Sequence, residues 1–153
     1  MKVCIGGTFN PFHKGHKTLI KKALEIAGKN GLVFIGITSD EMIKIKKGTR
    51  SLEERKQSME KYLIEEKIIE KVKIKPINDR FGPSIKEDFD AIVVSPETIT
   101  TAKEINKERK KIGKKPLKII KIPFVLAEDN KPISSTRIRK GEIDENGKLI
   151  RRD

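Results

Sequence analysis

The sequence predicts an α/β domain: a parallel sheet of about five strands with helices on both faces. Three observations carry this expectation. Short β-rich apolar runs alternate with segments whose apolar residues repeat at helical spacing, the order that a parallel sheet with crossover helices requires. Two of the runs, Leu32 to Thr38 and Ala91 to Ser95, are apolar at nearly every position, as strands covered on both faces are. The breaks between segments fall at glycine and proline, among them Gly28, Gly31, Gly113 and Pro123.

Taken in order, Lys2 to Ile5 reads as a short buried strand. From His16, the residues Leu19, Ile20, Ala23, Leu24 and Ala27 fall on one face of a helix. Gly28 and Gly31 end it, and Leu32 to Thr38 is the second strand. A basic loop runs from Lys44 to Arg50. Ser51 followed by Glu54 is a capping box, and Leu52, Met59, Tyr62 and Leu63 mark a helix to about Glu65. Lys71 to Ile77 alternates but contains Pro76, which makes it a weaker strand. Pro83 to Phe89 is expected as a short helix, and Ala91 to Ser95 as a fully apolar strand. Ala102, Ile105 and Ile112 give the face of the next helix, closed by Gly113. Leu117 to Ile122 is the last strand. Ser134 or Ser135 can cap a final short helix through Ile138. Residues 1–140 then form one domain and residues 141–153 a polar tail.

A chain of 153 residues is long enough to bury roughly 68–70% of its unfolded surface, so no disulfide or metal staple is needed. Its one cysteine, Cys4, sits in the first apolar run and fits a reducing compartment. There is no signal-peptide pattern and no apolar run of about 18 residues, so a cytoplasmic protein without a membrane partner is expected. Lys and Arg number 35 against 22 Asp and Glu, a formal net charge of +13. Both signs are enriched, as on the ion-paired surfaces of hyperthermophile proteins. The basic balance favours anionic ligands. Nucleic acid is not expected as a partner, because one tyrosine, no tryptophan and scattered phenylalanines give no stacking platform.

Both histidines lie in one stretch, Gly6-Gly7-Thr8-Phe9-Asn10-Pro11-Phe12-His13-Lys14-Gly15-His16, between the first strand and the first helix. Glycines permit close backbone approach, Thr8 adds a hydroxyl, and free N–H groups at a helix start attract anions. His13 and His16, three apart, can both donate to phosphoryl oxygen. The segment is neither a G-x-x-x-x-G-K-[ST] loop nor a G-x-G-x-x-G fingerprint. Two histidines could ligate zinc, but no second Cys/His cluster completes the set. Alone, they could equally be ordinary loop residues. Far along the chain, Ile133-Ser134-Ser135-Thr136-Arg137-Ile138-Arg139 places three hydroxyls and two guanidinium groups at another helix start, a second element suited to phosphates.

These two signatures in this order, His13-Lys14-Gly15-His16 and Ile133 to Arg139, resemble the nucleotidyltransferase superfamily marked by H-x-G-H and I-S-S-T-x-I-R. The resemblance implies a Rossmann-like fold, magnesium, and transfer of a nucleotidyl group from a nucleoside triphosphate to a phosphate acceptor. The likeness spans nearly the whole chain and is closest to the archaeal phosphopantetheine adenylyltransferases. It is carried by Ile37-Thr38-Ser39-Asp40, the Lys44 to Arg50 loop with Glu53-Glu54-Arg55, Val93 to Thr98, and Pro123 to Asp129 leading into Lys131-Pro132-Ile133-Ser134. Such enzymes join the AMP moiety of ATP to 4′-phosphopantetheine, giving dephospho-coenzyme A and pyrophosphate in coenzyme A synthesis.

By that resemblance, His16 holds the α-phosphate region and stabilises charge, and His13 contacts the triphosphate beside it. Gly7, Thr8, Phe9 and Gly15 belong to the ATP site, with Thr8 between the reacting groups. Ser134, Ser135, Thr136 and Arg139 grip the β- and γ-phosphates. Lys46, six residues ahead of Leu52, bridges acceptor phosphate and α-phosphate, with Lys44 and Lys47 as neighbouring candidates. Ile138 reads as a core anchor, and Arg137 as either a ligand residue or a surface charge. The acceptor attacks in line, with no covalent enzyme intermediate. No resident metal ligand and no oligomeric state is assigned. Two departures separate the chain from the bacterial enzymes: His13 stands where they carry threonine, and Ser95-Pro96-Glu97-Thr98 replaces their R-G-x-R. The nearest rival is a nicotinamide or nicotinate mononucleotide adenylyltransferase, which shares the histidine motif. A basic nucleic-acid-binding module would leave both signatures unexplained.

Overall fold

The computed structural model describes residues 1–43 and 49–151. Strands β1 (Lys2–Gly7), β2 (Leu32–Thr38), β3 (Val72–Ile77), β4 (Ala91–Val94) and β5 (Lys118–Lys121) form one sheet in the order β3-β2-β1-β4-β5. Every neighbouring pair is parallel. The chain steps outward from β1 to β3 and then returns to β4 on the other side of β1. The carboxyl ends of β1 and β4 are therefore the switch point, where sheets of this kind open a crevice.

Alternation along the strands divides the core. Val3 and Ile5 of β1, Val33, Ile35 and Ile37 of β2, and Val93 of β4 pack with Leu19, Ile20 and Ala23 of α1 (Lys14–Ala27) and with Met59 and Leu63 of α3 (Leu52–Glu65). Cys4, Ile92 and Val94 face the other way, against Ala102 and Ile105 of α4 (Ile99–Lys111) and Leu117. Helices thus cover both faces, as the sequence predicts. A short α2 (Asp40–Ile43) follows β2, and α5 (Ser135–Arg139) lies near the end of the chain.

Several elements differ from their sequence reading for physical reasons. Pro76 is compatible with β3 because that strand is an edge and pairs only with β2. The expected helix at Pro83 to Phe89 shrinks to a 3-10 turn at Gly82–Ser84. Ile112 does not belong to the buried face of α4; it caps the helix and is 54% exposed. Arg109 takes the buried place instead, donating to the carbonyls of Ser84, Ile85, Glu87 and Lys115, and so ties the β3–β4 crossover to α4. The segment from Gly141 to Arg151 folds back onto the body. Ile143 is fully buried with Ala127 and Ile133, and the Glu145 carbonyl accepts the Lys14 N–H at the start of α1.

Candidate functional site

The two histidines cap α1. His13 is the N-cap, and its Nδ1 accepts the Gly15 N–H at 3.0 Å. The His13 N–H in turn donates to His16 Nδ1 at 3.1 Å. With both Nδ1 atoms accepting, each neutral ring carries its proton on Nε2. The rings stack with centroids 3.7 Å apart. Phe9 and Phe12 pack against His16 at 4.7 and 5.8 Å between centroids. Burial lowers the His13 pKa from 6.5 to about 4. Burial, reinforced by the neighbouring His13, pushes His16 well below the ordinary value. The site therefore offers two neutral donors at physiological pH.

That arrangement makes stability depend on pH in a definite direction. Between about pH 4 and 6.5 the unfolded chain binds a proton at His13 that the native state refuses. The stabilisation is complete above 6.5 and is lost as pH falls toward 4. For His13 alone it is about 3 kcal/mol by linkage. Urea midpoints measured from pH 7 to pH 4.5 should fall more steeply for the native sequence than for a His13→Gln, His16→Gln double variant. Equal slopes would contradict the buried, neutral assignment.

Gly15 is required by the His13 ring. A Cβ built there would stand 2.8 Å from His13 Cε1 and 3.1 Å from Nδ1. The glycine of the motif is thus a seat for the imidazole. Gly15→Ala should expel the ring from its cap and lower kcat at least tenfold. The melting temperature should change little, because alanine's helix propensity is up to about 1 kcal/mol better. An alanine variant with native kcat would separate ring placement from Gly15.

Around this turn lies a cavity of about 380 Å³. Gly7, Thr8, Phe9, His13, Gly15 and His16 line it from the first stretch, and Ser134, Ser135 and Thr136 from the second. Two segments more than a hundred residues apart are joined directly: Ser135 Oγ donates to the Pro11 carbonyl at 3.3 Å, and Arg139 Nη1 to the Asn10 carbonyl at 2.5 Å. Ser134, not Ser135, is the N-cap of α5, accepting the Arg137 N–H. Phe9 is 2% exposed, so its ring supports His16 from beneath. Arg139 is exposed and sits on the first loop rather than among the wall residues of the cavity. Arg137 is not a free surface charge, because its guanidinium is taken up within the protein. It pairs with Asp129 at 2.5 Å and with Glu142, and donates to the Pro132 carbonyl. Ile138 packs against the small core of Ala127, Ile133 and Ile143, as an anchor should. Lys46, with Lys44 and Lys47, lies outside the described residues.

Sequence reasoning missed three features. The β4–α4 turn, Ser95 to Thr98, forms part of the cavity wall, as do Pro123, Phe124 and Val125 after β5. Phe124 is 47% exposed, an apolar ring left in reach of a ligand. A second cavity of about 160 Å³ opens on the α4 side of the sheet, walled by Cys4, Phe34, Ile77, Phe81, Thr101 and Ile105. Its room comes from Gly6 and Gly36, which face each other in register on β1 and β2 with no side chains between. Gly6, Gly7 and Thr98 border both cavities. The Gly6–Gly36 pairing was the available signal, but it depends on knowing the register.

The third feature is Arg55, whose side chain is 0% exposed. It donates to the carbonyls of Arg50, Thr8 and Thr38 and to Asp40 Oδ1. It therefore pins the first loop, the end of β2 and the start of α3 to one another. The capping serine at Ser51 and an arginine one helical turn later gave no hint of this burial.

Comparison with known proteins places this geometry in a context. A family model described as cytidylyltransferase-like matches residues 4–141. The chain is 52% identical over 98% of its length to a phosphopantetheine adenylyltransferase of Methanosarcina acetivorans, covering 96% of that protein. It is 40% identical over 98% of its length to one of Archaeoglobus fulgidus, covering all of it. A solved structure of a protein of unknown function from Archaeoglobus fulgidus superposes with a TM-score of 0.72 at 35% identity, over 80% of this chain and 89% of that one.

Proposed function

The chain belongs to the cytidylyltransferase-like family, and from that premise we infer that it is a phosphopantetheine adenylyltransferase. It transfers AMP from ATP to 4′-phosphopantetheine, releasing dephospho-coenzyme A and pyrophosphate in coenzyme A biosynthesis. The lone, buried Cys4 suits the cytoplasm. The observation that carries the reading is the pair of cavities sharing a border at Gly6, Gly7 and Thr98. One is the more polar of the two, walled by the histidine turn and by Ser134, Ser135 and Thr136. The other is apolar and suits the uncharged arm of a pantetheine. Two ligands so placed meet phosphate to phosphate at the glycine turn.

The reaction then needs little chemistry from the protein. An oxygen of the acceptor phosphate attacks the α-phosphorus as the bond to the β-phosphate oxygen breaks, and pyrophosphate leaves. Catalysis comes from alignment and from donors fixed before the reaction. His16 Nε2–H donates toward the α-phosphate, His13 beside it toward the triphosphate, and Thr8 stands between the reacting groups. Ser134, Ser135 and Thr136 take the β- and γ-phosphates beside the Gly7 backbone, and Gly15 acts through the His13 ring that its N–H holds. Phe124 offers a face to the base. Lys46 is assigned to bridge the acceptor phosphate and the α-phosphate, and Arg139, held on the first loop, adds positive charge near the β- and γ-phosphates.

The donor set fits magnesium carried in by ATP rather than a resident ion. Among the described residues no group of three or more His, Cys, Asp or Glu is gathered to hold a metal, and Glu97 is the one carboxylate among the described wall residues of the larger cavity. Magnesium in such sites keeps phosphate and water ligands, and when bound it neutralises charge on the phosphate oxygens.

The division of labour between cavities is testable. Thr101→Leu puts a longer apolar side chain on the wall of the smaller one. It should raise KM for 4′-phosphopantetheine about tenfold and leave KM for ATP unchanged. A rise in KM for ATP alone would reverse the assignment of the two cavities.

A further inference from the structure

We propose that Thr38 and Arg55 are positioning residues that set the Thr8 hydroxyl as a donor facing the larger cavity. The proposal rests on the reading above, in which Thr8 contacts the reacting phosphates. Thr38 ends β2 and is 6% exposed. Its Oγ1 accepts from Arg55 Nη1 at 3.3 Å, while the same nitrogen donates to the Thr38 carbonyl at 2.8 Å and the Thr8 carbonyl at 3.0 Å. Thr38 Oγ1 donates in turn to Thr8 Oγ1 at 3.1 Å.

The polarity of this chain follows from its first member and from the burial of its second. A guanidinium has donors and no acceptor. Thr38 Oγ1 therefore receives from Arg55, and its single proton passes outward to Thr8. The Thr8 oxygen is then already an acceptor, and its own proton is free for a ligand in the cavity that Thr8 lines. Were the Thr8–Thr38 bond reversed, the Thr8 proton would be spent on Thr38 and an acceptor would face the phosphates. Thr38 Oγ1 has lone pairs enough to accept from Arg55 and Thr8 together, but its own buried proton would then lose the Thr8 oxygen, the partner it has here. The pair also stands between the two ligands, since Thr38 borders the apolar cavity and Thr8 the polar one.

Valine at Thr38 removes the relay while keeping the shape and leaving Arg55 its carbonyl partners. Thr38→Val should lower kcat about tenfold with KM for ATP changed less than threefold and the melting temperature moved by only a few degrees. Thr38→Ser should restore most of the rate. In a Thr8→Val background, Thr38→Val should add nothing further. Native kcat in Thr38→Val, no rescue by serine, or multiplicative losses in the double variant would each overturn the relay. The same cycle is read on ATP affinity by calorimetry without acceptor, where each single variant and the double should weaken binding equally, and additive weakening would again overturn it. If the native protein binds ATP but makes no pyrophosphate with 4′-phosphopantetheine, the proposed activity fails, and the affinity cycle still decides the relay.

Discussion

His16→Ala is expected to lower kcat by about 10²–10³-fold, the usual cost of one preorganised donor at a developing charge, with the fold intact. The ring is committed on one side: its Nδ1 accepts the His13 N–H, so only Nε2–H faces outward. Stacking on His13 and packing by Phe9 and Phe12 fix that vector before substrate arrives. Alanine removes the donor and also the acceptor that orders the His13 backbone. His16→Gln places an amide N–H near the Nε2 position and should recover part of the loss. KM for ATP should move far less than kcat, because the interaction strengthens as the transition state forms. Pyrophosphate release followed at saturating substrates measures both variants, and a native rate in His16→Ala would remove the histidine from the mechanism.

The largest effect on stability is expected at Arg55. Arg55→Met conserves much of the volume but strips donors from three carbonyls, those of Arg50, Thr8 and Thr38, and from Asp40. Each buried acceptor left unpaired costs about 1–3 kcal/mol. Asp40 is 38% exposed and can turn to water, so the carbonyls dominate. A loss of at least about 3 kcal/mol follows, on the order of a 10 °C drop in melting temperature for a domain of this size. Calorimetry of the variant checks it. A drop of only one or two degrees would show that water reaches these carbonyls and that Arg55 is not the brace.

How much of this was legible in the sequence depended on distance along the chain. The buried face of α1 was legible residue by residue, because Leu19, Ile20, Ala23 and Ala27 repeat at the period of the helix they form. Ser51 as a cap was legible for the same local reason. Arg109 and Arg55 were not, since nothing within a turn of either side chain reveals the carbonyls that make burial tolerable. Pro76 weighed against β3 only while its place at the sheet edge was unknown. The meeting of the two signatures was anticipated as chemistry, but the bonds that join them, from Ser135 to Pro11 and Arg139 to Asn10, belong to the fold. The neutral state of the histidines was hidden for a further reason. It follows from the burial of both rings in the folded turn, which residue type does not specify. The apolar cavity was the least legible feature, because it is made by side chains missing at Gly6 and Gly36 and by walls drawn from β1, β2, β4 and α4.

The central claim is that the polar cavity holds ATP and the apolar one a pantetheine, joined at the glycine turn. Pyrophosphate release from ATP, measured with 4′-phosphopantetheine, nicotinamide mononucleotide and FMN offered separately, tests it most directly. Release is expected with 4′-phosphopantetheine alone, matched mole for mole by dephospho-coenzyme A. Release with nicotinamide mononucleotide or FMN, and none with 4′-phosphopantetheine, would contradict it.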